Sequence, residues 1–266
     1  MGLKIGFIGA GNMASAIYGG ILANNLADGS DLVLFDIDTP KLEAACQNTG
    51  AEMASSNADV VEKADIVFLA IKPQFLAPAT DEIRPFITKE KCFISIVAGW
   101  TNEKLKAALG DQARILRVMP NTPLLGGAGM SCLSAQNDLM EEEFALAKQI
   151  FEGMGRVMVM DEKYIAAFSG IAGSGPAYVY MFIEAMADAG CKLGLPRALS
   201  YEMAAQTCIG SGKMVLETGK HPGELKDAVC SPGGSTIEAV FALEQGGFRA
   251  AVIDCIDKCV EKFHRL

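Results

Sequence analysis

A chain of 266 residues, half of them hydrophobic, has room for one large domain or two modest ones and can bury a sizeable core. Its formal net charge of -9, with both signs mixed along the chain, argues against nucleic acid as a partner, which needs a basic surface to displace counterions. A small anionic substrate stays compatible, because a local site can be positive on an acidic protein.

The eight cysteines are scattered without a C-x-x-C pair, and there are only two histidines. No metal site is expected from such spacing, and the cysteines read as buried free thiols, not as a disulfide framework. The chain runs almost at once into a strand, with no basic stretch and cleavage site ahead of it. Gly6 stands where a myristoylation signal needs Ser or Thr. Apolar runs such as residues 66–71 and 93–100 are too short for a bilayer. A cytoplasmic protein without membrane contact is expected.

Up to about Met160, short apolar runs alternate with helical stretches, the pattern of βαβ units and a parallel sheet. Strands are predicted at residues 4–8, 32–35, 66–71, 93–97, 115–118, 129–133 and 156–160, the last two flanking a helix over 139–154. Beyond Asp161 only helices are predicted: residues 178–190, then from Pro196 to Thr218 with Gly219 and Pro222 as stops, and a last one from Gly247 onward. The second of these carries Ala204, Ala205, Gly210, Ser211 and Gly212, small residues that let another helix approach closely.

The first strand, Ile5-Gly6-Phe7-Ile8, runs into Gly9-Ala10-Gly11-Asn12-Met13-Ala14. This is G-x-G-x-x-A between a strand and a helix. Gly9 permits the tight turn, Gly11 lets a pyrophosphate approach the backbone, and Ala14 allows close packing of helix on strand, while the helix N-terminus attracts the anion. Asp36, at the end of the second strand, is placed to accept hydrogen bonds from adenosine ribose hydroxyls and to repel a 2′-phosphate. The expected cofactor is therefore NAD(P)H, with NADH favoured. Asp38 adds to the repulsion or is a plain capping residue, and Thr39 and Lys41 lie close enough to offer a phosphate something. The fold class is α/β: a Rossmann-type, mainly parallel sheet domain over residues 1–160, followed by an all-helical domain over 161–266.

Three further loops lie at strand ends, where open α/β sheets bind ligands. They contain Ala70, Lys72 and Pro73; Val97, Ala98 and Gly99; and Asn121, between Pro120 and Pro123. On residues alone they read equally as ordinary loops and as cofactor contacts.

The helical half holds Cys230-Ser231-Pro232-Gly233-Gly234-Ser235-Thr236. Pro-Gly-Gly cannot be helix interior, and Ser235 or Thr236 makes a sensible N-cap for a helix starting there. The segment offers backbone N–H groups and hydroxyls at a positive helix end, a carboxylate cradle, and reads equally as a turn with a cap. His221 and His264 read as surface or capping residues. A site without an evident general base fits imine reduction better than alcohol oxidation, because a protonated imine is already electrophilic at carbon.

Together these segments resemble the pyrroline-5-carboxylate reductases over essentially the whole chain. The likeness is carried by residues 5–14, 65–73, 119–123, the run Gly173-Ser174-Gly175-Pro176-Ala177-Tyr178, His221-Pro222-Gly223, and above all residues 227–237. It implies NAD(P)H-dependent reduction of Δ1-pyrroline-5-carboxylate, a small cyclic imine, to L-proline as the final step of proline synthesis, by hydride transfer to the imine carbon. It also implies that the helical halves of two subunits interlock as a homodimer that often assembles further. Ser231, Gly234, Ser235 and Thr236, with Gly233 in the same cradle, would hold the substrate carboxylate and ring nitrogen, Thr236 being the catalytic candidate. Asn57, Lys72 and residues 97–99 would border the cofactor. Many relatives carry Thr or Ala in place of Ser235, and the second-strand end varies within the family, so Asp36 is judged on its own charge.

Two other readings compete. A β-hydroxyacid dehydrogenase of the 6-phosphogluconate type needs a catalytic Lys on the first long helix after the sheet, but residues 178–190 have none and Lys192 lies past them. A non-catalytic dinucleotide-sensing protein would have no need of a second anion cradle.

Overall fold

A computed structural model describes residues 3–265 of the chain. By packing it falls into two compact units: residues up to Gly173 together with the chain from Val260 onward, and Ser174–Cys259.

The first unit is built on an eight-stranded sheet. In chain order its elements are β1 (Ile5–Ile8), α1 (Asn12–Ala23), β2 (Leu32–Phe35), α2 (Thr39–Thr49), β3 (Glu52–Met53), α3 (Asn57–Lys63), β4 (Ile66–Leu69), α4 (Pro73–Ile83), β5 (Cys92–Ser95), α5 (Asn102–Leu109), β6 (Arg114–Met119), β7 (Gly129–Ser134), α6 (Glu141–Glu152), β8 (Gly155–Met160) and α7 (Ile165–Phe168), ending in a π-helical turn, Ser169–Gly173. The strand order is β3-β2-β1-β4-β5-β6-β7-β8, and every pair is parallel except β6 with β7. The chain thus winds outward from β1 to β3 and then returns to β4 on the other side of β1. That reversal opens a crevice at the C-terminal ends of β1 and β4, the place where such sheets take ligands.

Successive side chains of each strand enter opposite cores. Ile5 and Phe7 of β1 and Phe68 of β4 join α1 and α6 on one face, while Ile8, Val67 and Leu69 join α3 and α4 on the other. Being covered on both faces, these strands are continuous apolar runs without alternation. Phe7 stacks on Phe68 at 4.7 Å, in the middle of the first core.

The predicted strands are all present, with ends shifted by a few residues. The run 66–71 stops at Leu69, because Lys72 already caps α4 and Pro73 opens it. The run 93–97 stops at Ser95, ahead of a loop in which Gly99 takes φ +77°. The one strand not foreseen, β3, has two exposed residues and carries no apolar signal.

The second unit holds α8 (Gly175–Lys192), α9 (Arg197–Thr218), α10 (Pro222–Val229), α11 (Ser235–Gln245) and α12 (Phe248–Phe263), whose last residues belong to the first unit. α8 and α9 approach closely at small residues. A Cβ on Gly190 would lie 2.6 Å from Ser200 Oγ, and Ala187 and Ala204 are buried. By contrast, nothing lies within 4 Å of where a Cβ on Gly210 or Gly212 would stand.

One local expectation is corrected. The N-cap of α11 is Gly234, and neither Ser235 nor Thr236. Gly233 takes the left-handed conformation, φ +68°, and Gly234 donates its N–H to Ser231 C=O at 3.0 Å. This turn brings the helix start one residue earlier, so the two hydroxyls sit in the first turn itself. His221 caps α10 as expected, its Nδ1 accepting from Gly223 N–H at 3.0 Å. Among the described residues all eight cysteines are free, no three His, Cys, Asp or Glu side chains gather as a metal site, and no helix is long and apolar enough to cross a membrane.

Candidate dinucleotide site and substrate cradle

The crevice at the ends of β1, β2 and β4 is a cavity of 390 Å³, and Gly9, Gly11, Asp36, Lys41, Asn57 and Lys72 are in its wall. Gly9 is required by the protein itself. Its φ is +101°, its N–H donates to Phe35 C=O at 2.7 Å, and a Cβ would stand 2.6 Å from Ala70 O and 2.8 Å from Ile71 Cγ2. Gly11 is different. It caps α1 in an extended conformation that any residue adopts, and a Cβ there would meet only Lys41 Nζ, at 3.7 Å. Nothing in the protein needs a glycine at position 11; what the glycine leaves is open space in front of a helix end. No side chain caps α1 and no acid sits in its first turn, so the N–H groups from Asn12 and Met13 onward keep their positive field.

Asp36 ends β2 as expected, but its carboxylate is already engaged. Oδ2 accepts from Ala10 N–H at 2.7 Å and Oδ1 from Asp38 N–H at 3.0 Å, so the side chain holds the glycine turn against the next loop. Lys41 Nζ lies 3.8 Å from Oδ2. Asp38 is the cap of α2, accepting from Lys41 N–H at 3.2 Å, which is the plainer of its two readings. Asn57 is the first residue of α3; its Nδ2 donates to Glu82 Oε2 at 2.6 Å, and Glu82 also lines the cavity. Sequence reasoning missed Glu82, which belongs to α4 and reaches Asn57 only through the packing of two helices.

Ala70 and Lys72 border the cavity, whereas Pro73 faces a separate groove beside Trp100. Val97 is buried and Ala98 half-buried; Gly99 lines a second cavity with Lys104, Arg117 and Glu162. Lys104 Nζ donates to Gly99 C=O at 3.2 Å, and Glu162 takes both Asn102 N–H, at 2.6 Å, and the buried Arg117 guanidinium, at 2.7 Å. The loop after β5 is thereby pinned on its α5 side. Asn121 is not in the wall of the cavity. Its Oδ1 accepts from Met130 N–H at 2.9 Å and its Nδ2 donates to Ala172 C=O at 3.0 Å, tying the β6–β7 connection to the π-helical turn.

In the second unit, Ser231, Gly233, Gly234, Ser235 and Thr236 come together as one turn at the start of α11. A Cβ on Gly234 would lie 2.5 Å from Ser231 Oγ and 3.1 Å from Ser231 O, so a larger residue there would turn the Ser231 hydroxyl aside. The first-turn N–H groups of α11 have no side-chain cap. Close by in sequence to the first unit, Tyr178 sits with Ser174 and Cys259, whose Oγ and Sγ are 3.1 Å apart; burial and the Cys259 thiol push the Tyr178 hydroxyl pKa up. Burial also pushes the Cys92 thiol up to about 12 and the Cys132 thiol to about 11.

Residues 162–266 match the family model described as pyrroline-5-carboxylate reductase dimerisation, and residues 4–99 match the one described as NADP oxidoreductase, coenzyme F420-dependent. The chain is 46% identical to the pyrroline-5-carboxylate reductase of Escherichia coli (strain K12), over 99% of this chain and 98% of that one. The chain belongs to the pyrroline-5-carboxylate reductase family. The reductase of Glycine max is 40% identical over 98% of this chain and 95% of its own. Among solved structures, the Plasmodium falciparum pyrroline carboxylate reductase with NADP bound superposes with a TM-score of 0.90 at 33% identity, covering 99% of this chain and 97% of that one. Membership in the reductase family removes the hydroxyacid dehydrogenase and the silent sensor as readings. It also accounts for the expected architecture, a Rossmann-type sheet followed by helices.

Proposed function

We propose that this chain reduces Δ1-pyrroline-5-carboxylate to L-proline with NAD(P)H, the dinucleotide lying on the Gly9–Gly11 turn and the substrate on the Ser231–Thr236 turn. The observation that carries the cofactor half is Gly11: unstrained, uncrowded and standing before an uncapped helix end. Bound there, the dinucleotide supplies a hydride for the imine carbon. The chain's own work is to bind and orient. Backbone N–H groups at Gly233 and Ser235, with the Ser231 hydroxyl, hold the carboxylate, while the Gly234 N–H closes the turn onto Ser231 C=O; the Thr236 hydroxyl orients the ring nitrogen. Lys72, Asn57 and residues 97–99 border the cofactor, with Ala70, Pro73 and Asn121 supporting their loops. In this division of labour residues 1–160 hold the dinucleotide, and residues 161–266 hold the substrate and a second subunit.

NADH is the favoured cofactor in this reading. Two backbone N–H groups fix the Asp36 carboxylate where a 2′-phosphate would otherwise stand. NADPH is the second reading, because Lys41 Nζ is 3.8 Å from that carboxylate and a relative has NADP bound. The working unit is a homodimer or larger, joined through Ser174–Cys259. This unit exposes Tyr180, Met181, Phe182, Ile209 and Leu216, an apolar surface that a lone chain would leave in water. The protein works in the cytoplasm, with no membrane and no nucleic acid as partner.

The deciding assay tracks the absorbance of the reduced nicotinamide with Δ1-pyrroline-5-carboxylate, NADH and NADPH being run in parallel. Consumption of neither would overturn the function, and higher kcat/KM with NADPH would overturn the cofactor preference. Sedimentation at micromolar concentration tests the assembly; a lone 28.1 kDa species would refute it.

A further inference from the structure

We infer that Glu82 is a positioning residue of the dinucleotide cavity, fixing the amide of Asn57 and setting the charge that the cavity presents to a phosphorylated ribose. The inference rests on reading that cavity as the dinucleotide site.

α3 starts at Asn57, and its first turn is already capped locally: Ser56 Oγ accepts from Asp59 N–H at 3.0 Å. Glu82, on α4, adds a second set of contacts from outside. Its Oε2 accepts from Asn57 Nδ2 at 2.6 Å and its Oε1 from Ala58 N–H at 3.3 Å. An exposed glutamate on a last helical turn normally points into water, at little cost in energy. Here the side chain is turned onto an amide in the wall of the cavity and is itself part of that wall.

The chemistry of the pair has two consequences. An amide whose nitrogen donates to a carboxylate cannot flip, because the flipped form would set its oxygen against the carboxylate oxygen. Asn57 is therefore held with Oδ1 turned away from Glu82, free to accept from a hydroxyl, with one N–H left to donate. The second consequence concerns charge. The cavity wall holds two carboxylates, Asp36 and Glu82, and two ammonium groups, Lys41 and Lys72. Glu82 is in no ion pair among the described residues, so its charge is offset only by the two N–H groups it accepts. With Glu82 ionised the wall is balanced. With Glu82 neutral the wall is net positive, which favours the dinucleotide carrying the extra phosphate.

The substitutions E82Q and E82A separate these roles. Gln keeps an acceptor for Asn57 Nδ2 and removes the charge; Ala removes both. By titration of each dinucleotide, E82A should weaken NADH by about 5- to 10-fold through loss of the contact that orients Asn57, and NADPH by about 3-fold less, because the lost carboxylate also leaves the wall net positive. E82Q should return NADH affinity to within about 2-fold of wild type and raise the affinity for NADPH relative to NADH by about 3-fold, a shift that shrinks as salt is added. The change should appear in the KM for the dinucleotide more than in kcat, since Glu82 touches no reacting atom. If both variants only lower the melting temperature, with both dissociation constants unchanged, Glu82 is a cap of α3 and the inference is wrong. If E82Q weakens NADH as much as E82A does and leaves the ratio unchanged, it is wrong as well. Wild-type protein that binds neither dinucleotide would overturn the reading of the cavity itself.

Discussion

Replacing Gly11 by alanine separates what the protein requires from what its ligand requires. The residue already has φ -71° and ψ 178°, and the new methyl meets nothing closer than Lys41 Nζ at 3.7 Å. Alanine is a poorer N-cap than glycine by a few tenths to about 1 kcal/mol, while the stiffer unfolded chain returns about 0.4–1 kcal/mol. The two nearly cancel, so the melting temperature should move by about 2 °C at most. Gly9→Ala is the contrast. Its left-handed backbone costs about 1–2 kcal/mol, and a methyl pressed to 2.6 Å from Ala70 O forces backbone to move, for a total of roughly 3 kcal/mol or more. For the dinucleotide the order reverses. The Gly11→Ala methyl occupies the space through which a pyrophosphate reaches the α1 N–H groups. Loss of one charge-assisted hydrogen bond there, worth about 1.5–3 kcal/mol, weakens binding by about 10- to 100-fold. Fluorescence titration with NADH and thermal melts of both variants read the two effects independently. Wild-type NADH affinity in Gly11→Ala, or a melting temperature as low as that of Gly9→Ala, would refute the assignment of the turn.

Three further outcomes are expected. Asp36→Ser should raise the use of NADPH relative to NADH, and should also destabilise the fold by about 2 kcal/mol, because Ala10 N–H and Asp38 N–H lose their acceptor; an unchanged cofactor ratio would show that the carboxylate does not face the ribose. Thr236→Ala should lower kcat/KM by about 10- to 100-fold, with partial rescue by Thr236→Ser and unchanged dinucleotide affinity, as expected for a lost bond to a charged ring nitrogen. Thr236 is not the cap of α11, so a lower melting temperature with normal kcat/KM per folded enzyme would leave it without a role in the site. Cys92 should resist alkylation in the native protein at pH 8, since its thiol is pushed from 9.0 to about 12. The folded state binds this proton more tightly than the unfolded state does, so the contribution to stability is intact below pH 9 and is lost as pH rises from there through about 12. Mass mapping after iodoacetamide treatment checks the first point, and denaturant midpoints across that pH range check the second.

Much of the site was legible because its determinants are local. The turn from β1 into α1 needs glycine at position 9 for a φ that neighbouring residues impose, and α1 aims its N–H groups at whatever enters. Both features lie within six consecutive residues, and so does the turn at 231–236. The central strands β1, β2, β4 and β5 announce themselves by continuous apolar runs, since each is buried on both faces. The position of Asp36 at the end of β2 comes from the same register.

What only the tertiary structure decided concerns groups that meet across chain distance. No residue near Asp36 says that its carboxylate will accept from Ala10 N–H, and none near Asn57 says that Glu82 will hold its amide. β3 exists because β2 offers an edge, with two residues too exposed to carry a pattern. The loop holding Asn121 between two prolines reads equally as an ordinary loop and as a cofactor contact, and only the fold shows that Met130 N–H and Ala172 C=O meet its amide. Even the cap of α11, expected at Ser235 or Thr236, is Gly234, because Ser and Thr propensities describe an average helix start, whereas here Gly233 turns left-handed and Gly234 closes onto Ser231. Backbone conformation and helix-end chemistry depend on adjacent residues and can be read in order along the chain. The partner of a polar side chain is chosen by packing, which depends on every element at once.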